Sequence, residues 1–81
     1  MQLDLRGTDL ATMKSYIELL GGVEQEGDRF VGEGWAVRLV AGIHRYRNWE
    51  FPRVLLTFEG RPERVAEVVG QLRIMAMRGG G

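Results

Sequence analysis

The chain opens with strict alternation: in Leu3-Asp4-Leu5-Arg6 every second side chain is apolar, the period of a strand with one buried face. Gly7 interrupts it, and Thr8 or Asp9 is placed to cap a helix by accepting from an unpaired first-turn N–H. The period then changes. Leu10, Met13, Ile17 and Leu20 recur at steps of three and four, with Tyr16 on their flank, so one helical face is apolar until Gly21-Gly22 stops the helix. Short strand segments follow. Val23–Glu26 leads through Glu26-Gly27-Asp28-Arg29 into Phe30-Val31, a hairpin pattern, and Gly32 and Gly34 around Glu33 permit a second reversal. Trp35, Val37 and Leu39 then share one side of a strand, with Ala36, Arg38 and Val40 on the other. The polar and aromatic stretch from Gly42 to Trp49 is expected to be a connecting loop. Val54, Leu56 and Phe58 alternate along the last strand, and Pro52, lacking an N–H, belongs at its start or on an edge.

A second helix begins at Pro62, whose missing donor costs nothing at a first helical position, and Glu63 suits the positive end of the helix dipole. Val65, Val68, Val69, Leu72 and Ala76 form one apolar stripe. Ala66, Gly70, Ile74 and Met77 form another, about 135° away at roughly 100° per residue. The predicted fold class is α+β: an antiparallel sheet of four or five strands with two helices on one face, in the order β-α-β(4)-α. Residues 1–81 form a single domain, with 79–81 as a flexible glycine tail.

Composition narrows the function classes. Eleven basic residues balance eleven acidic ones, so no long-range field attracts nucleic acid or an anionic membrane, and nucleic acid is not an expected partner. No apolar run approaches the roughly 18 residues of a membrane span, and the N-terminus lacks the pattern of a signal peptide. A cytoplasmic location is therefore expected. With no cysteine there are no disulfides, thiolate metal sites or thiol nucleophiles. All basic residues but Lys14 are arginine, which suggests a GC-rich genome, and absent cysteine with few amide side chains fits a heat-adapted host.

Candidate chemistry is sparse. His44 is the sole histidine and Ser15 the sole serine, and nothing in their spacing pairs them, so no catalytic residues, metal site or cofactor are assigned and the chain is not expected to be an enzyme. Glu24, Glu26, Asp28 and Glu33 crowd the first hairpin and read as a solvated acidic edge. The densest stretch is the Arg/aromatic segment 44–53. Arg45, Tyr46, Arg47 and Trp49, with Arg38 and Arg53 beside them, offer guanidinium forks and aromatic faces that suit a small anionic ligand. The plainer reading makes the aromatic residues a cover for the end of the core, with solvated arginines around them. The second stripe, Ala66, Gly70, Ile74 and Met77, either packs on the first helix or forms a self-complementary dimer interface, and a homodimer is the expected assembly. The end, Arg78-Gly79-Gly80-Gly81, reads as a helix cap with a frayed terminus, or as the reactive tail of a sulfur carrier.

Leu19-Leu20-Gly21-Gly22 through Glu26-Gly27, Trp35-Ala36-Val37-Arg38, Arg53-Val54-Leu55-Leu56 with Glu59-Gly60, and the closing Arg78-Gly79-Gly80-Gly81 together resemble the C-terminal domain of the MoaD-related proteins. That family joins a domain like the small, sulfur-carrying subunit of molybdopterin synthase to an extra domain. The resemblance implies a fold like half of the TATA-binding protein, β-α-β(4)-α, and an accessory role in molybdenum-cofactor or sulfur-carrier chemistry. It implies a protein of molybdenum-cofactor biosynthesis as partner and supplies no catalytic residues. The carrier domain itself is missing from this chain, so the link is one of association.

Overall fold

A computed structural model describes residues 1–79. Its elements are β1 (Gln2–Arg6), α1 (Leu10–Leu19), β2 (Val23–Gln25), β3 (Arg29–Gly32), β4 (Trp35–Tyr46), β5 (Trp49–Gly60) and α2 (Pro62–Gly79). The strands form one antiparallel sheet in the order β1-β5-β4-β3-β2. This is the expected α+β class and the expected order of elements.

Register assigns every side chain to a face. Leu3 lies opposite Leu56, Leu56 opposite Leu39, Phe58 opposite Val37, and Val37 opposite Phe30. These residues are all buried, and they share one core with Met13 and Ile17 of α1 and Val65, Val68, Val69 and Leu72 of α2. Both helices therefore cover the same face of the sheet. The opposite face has no layer over it among the described residues, and its rows run Gln2–Thr57–Arg38–Arg29, Asp4–Leu55–Val40, Arg6–Arg53–Gly42, Phe51–His44 and Trp49–Tyr46.

Local chemistry sets the helix ends. Asp9 is the N-cap of α1 and accepts from the Thr12 N–H at 2.8 Å. Thr12, through its hydroxyl and its backbone N–H, holds the Asp9 carboxyl below the usual 3.8. Lys14 reaches from α1 to Asp28 at 2.6 Å and Glu24 at 3.0 Å, and these carboxylates raise its pKa. Two members of the acidic edge thus clamp α1 to the first hairpin. The β3–β4 turn brings Trp35 back over Gly32, where any Cβ would fall inside the indole ring. Gly60 combines a φ of 132° with backbone of Gly34 and Trp35 pressed against it, so the β5–α2 corner admits no side chain either.

One expectation needs correction, and of the two places open to Pro52 the structure takes the edge. The stretch from Gly42 to Trp49, and with it the segment 44–53, is no loop: β4 runs on to Tyr46, β5 starts at Trp49, and only Arg47-Asn48 turns the chain. Alternation continues across the polar residues because each is paired in an unbroken ladder, from Trp35↔Gly60 to Tyr46↔Trp49. Pro52 accordingly lies inside β5 rather than at its start. It sits where β1 ends: its carbonyl accepts from Gly7 N–H at 2.8 Å, and its ring nitrogen faces an edge with no further strand. At the other terminus α2 includes Gly79, while Gly80 and Gly81, on which the tail readings depend, lie outside the described residues.

Face assignment makes a direct prediction. Leu56→Ala empties a fully buried site and is expected to cost about 2–5 kcal/mol in urea denaturation, whereas Leu55→Ala, half-buried on the uncovered face, costs about half of that or less. Equal losses would contradict the register.

Candidate functional site

Two surfaces carry the residues singled out by sequence. The first is the outer part of the β4–β5 hairpin. β1 pairs with β5 only from Arg53 to Thr57, and β3 pairs with β4 only from Trp35 to Arg38. From Ile43 to Pro52 the sheet is therefore two strands wide, an arm that extends past its neighbouring strands. Its surface is apolar beyond what solvation favours: Ile43, Tyr46, Trp49 and Phe51 are all exposed, as is Val40 just before it. An isolated two-stranded ribbon is marginal in water, so this arm draws its order from the sheet that it extends.

The six residues of the expected anion clamp are distributed by this ladder. Arg38, Tyr46, Trp49 and Arg53 fall on the uncovered face, Arg45 falls on the helix side, and Arg47 stands in the turn. Eight residues of strand, roughly 27 Å at about 3.4 Å per residue, separate Arg38 from Tyr46, so a small ligand cannot touch both. Most guanidinium groups near the arm already have carboxylate partners: Arg53 meets Asp4 at 2.9 Å, with Arg6 on the same carboxylate at 3.5 Å, and Arg45 lies 3.6 Å from Glu50. These pairs are partly or fully solvated and contribute little stability. What the fold does bring together is the tip. Tyr46 opposes Trp49, and the Arg47 guanidinium lies 5.4 Å from the Tyr46 ring centroid, within cation–π range. Arg47 takes a φ of 57°, a left-handed conformation that usually falls to glycine or asparagine in a two-residue hairpin. His44 stands on the uncovered face opposite Phe51, whereas Ser15 is on α1 beyond the other side of the sheet.

The second surface is the outer side of α2. The stripe Val65, Val68, Val69 and Leu72 is buried, and Ala66, Gly70, Ile74 and Met77 are exposed. Of the two readings of that stripe, packing on α1 is thereby removed, since α1 leaves it uncovered. Ala66 also borders an apolar groove of about 490 Å³, between the start of β1 and the start of α2, lined in addition by Met1, Phe58, Pro62 and Val65. Sequence reading missed this groove because its walls come from both ends of the chain; the Met1 amine, donating to the Phe58 carbonyl at 3.1 Å, closes one side. Among the described residues no group of three or more histidines and carboxylates is placed to hold a metal, and no helix is long and apolar enough to cross a membrane.

A one-sided sheet with two helices behind it, a bare ribbon at one end and an apolar helix face define a small α+β domain built around exposed surfaces. Comparison with protein families gives it a place: the model of the archaeal MoaD-like proteins matches residues 1–81, and the chain belongs to that family. No curated protein matches the sequence.

The two tryptophans provide a check on these exposures. Trp35 is 3% exposed and Trp49 is 67% exposed, so acrylamide should quench two distinct populations of indole fluorescence. Trp49→Phe is expected to remove the accessible population and leave the protected one; a single, uniformly quenched population in the wild type would contradict the arm.

Proposed function

We propose that this domain is a non-catalytic docking module of sulfur-carrier and molybdenum-cofactor chemistry, which offers the outer face of α2 to a partner protein. The observation that carries the reading is the uncovered row Ala66, Gly70, Ile74 and Met77, joined at Ala66 to the apolar groove, on a chain that belongs to the MoaD-like family. Small residues at Ala66 and Gly70 let a partner backbone approach the helix closely, and Ile74 and Met77 supply area that stabilises a complex once removed from water. The partner of suitable chemistry is the sulfur-carrier subunit of molybdopterin synthase. Isothermal titration of that subunit into the domain is expected to give saturable binding, weakened tenfold or more by Ile74→Glu with Met77→Glu. Both positions are solvated, so the double variant should keep its fold. No binding by the wild type would overturn the reading.

A second reading rests on the tip of the arm, where Tyr46, Trp49 and Arg47 meet. Two aromatic faces beside a guanidinium suit a planar anionic molecule, such as a phosphorylated pterin, stacked on the rings and held by charge-assisted hydrogen bonds. Selective binding to the native state raises its melting temperature. A phosphorylated pterin should therefore stabilise the wild type in a thermal-shift assay and lose its effect with Trp49→Ala. An equal shift in both would remove the tip as the site.

A further inference from the structure

The outer stripe of α2 and the groove at its start belong to one surface, and distance along the helix relates them. Gly70 lies within the exposed stripe, and a Cβ added there would meet nothing within 4 Å. A neighbouring helix can therefore come close at this point. Met77, 82% exposed, stands seven residues beyond Gly70, about 10.5 Å at roughly 1.5 Å per residue. Pro62, Val65 and Ala66, the α2 wall of the groove, stand four to eight residues before it, about 6–12 Å in the opposite direction. Projection and recess are thus equally far from Gly70. Charge is arranged in the same way. Glu63 lies in the first turn of α2 and Arg78 in the last, seven and eight residues from Gly70, and neither forms an ion pair among the described residues.

We propose that this surface is covered by the same surface of a second copy of the chain, α2 against α2 in antiparallel orientation about a two-fold axis at Gly70. Gly70 then meets Gly70, Ile74 comes to the level of Ala66, and Met77 of each copy reaches the groove of the other. The angular positions agree. At about 100° per residue, Met77, Ala66 and Pro62 lie about 20°, 40° and 80° to one side of Gly70, and Glu63 and Arg78 about 20° and 80° to the other. A two-fold axis sets each flank against the same flank of the second copy. Apolar projection therefore meets apolar recess on one side, and Glu63 meets Arg78 on the other, once at each end of the contact. Other stripe residues do not serve as the centre. At Ala66, Met77 would pass beyond the start of α2, and at Ile74 it would stop level with Gln71, short of the groove.

Pairing removes Ile74 and Met77 from water, which favours it. It also regulates the face. The competition that follows rests on the docking reading: a second copy and the carrier subunit need the same residues, so each excludes the other. The dimer itself stands without that reading.

Sedimentation of the domain alone should give twice the 9.2 kDa chain mass in the micromolar range. Gly70→Glu puts a good helix former into open space, so the fold is kept, yet it sets two carboxylates face to face. This variant should sediment as a monomer with undiminished helical circular dichroism. Glu63→Arg should weaken the dimer about tenfold, and adding Arg78→Glu should restore it, because the swapped pair forms again across the axis. The chain has no cysteine, so a single introduced one tests the register. Axes about 8–10 Å apart, with Cα atoms at a radius of about 2.3 Å, bring facing Cα atoms to about 5 Å, within disulfide reach. Mild oxidation should join the copies of Gly70→Cys and not those of Gln71→Cys, about 100° round the helix. A monomeric wild type, or an unweakened dimer in Gly70→Glu, would overturn the proposal. Carrier-subunit binding by a monomeric wild type would leave the docking reading standing alone, and a dimer that binds no carrier subunit would leave only the self-association.

Discussion

The β4–β5 ladder is the constraint on which the rest of the molecule depends. It is the longest pairing in the sheet, unbroken from Trp35↔Gly60 to Tyr46↔Trp49, and it sets the side of the sheet for each residue that it contains. One strand of the pair templates β1 and the other templates β3, so the five-stranded order grows outward from this hairpin. Its inward residues, Val37, Leu39, Val54, Leu56 and Phe58, form the floor on which both helices rest. A slip by one residue would exchange that floor for Arg38, Val40, Arg53 and Leu55, and the helices would lose their apolar support.

The same length that organises the core creates the exposed surfaces. A sheet neighbour is present for only part of each long strand, and beyond Arg38 and Arg53 the ribbon continues without one. The helices are short of it too: on the face that they cover, the core holds Leu39 and Val54 but not the next pair out, Ile43 and Pro52. The arm thus carries exposed apolar residues on both faces, and its β4 edge has no strand partner beyond Arg38 among the described residues. α2 follows the same logic on a smaller scale, with one apolar stripe spent on the core and a second left over.

Much of this was legible in the sequence, for identifiable reasons. Alternation at Leu3-Asp4-Leu5-Arg6 and at Val54-Leu55-Leu56-Thr57-Phe58 survives because one face is buried, and the α1 and α2 stripes survive because the helices lie on that face. Asp9, Pro62 and the Gly27 turn stand where their backbone chemistry places them. The arm was not legible. Where neither face is buried, selection for alternating polarity disappears, and His44-Arg45-Tyr46-Arg47-Asn48-Trp49 reads as a loop although most of it is strand. The positive φ at Arg47 hid the two-residue turn, because neither Asn-Gly nor Asp-Gly marks it. The anion clamp was read from nearness in sequence, which in a hairpin is a poor guide to nearness in space: Arg45 and Tyr46 are consecutive and point to opposite faces.

The central claim is that strand pairing continues without a slip to the tip of the hairpin. Nuclear Overhauser contacts between Hα protons report it most directly, since the non-hydrogen-bonded pairs of an antiparallel ladder hold Cα atoms about 4.5 Å apart. Strong Hα–Hα contacts are predicted for Ala41 with Val54, Ile43 with Pro52, and Arg45 with Glu50. Their absence beyond Ala41–Val54, or their displacement by one residue, would contradict the account.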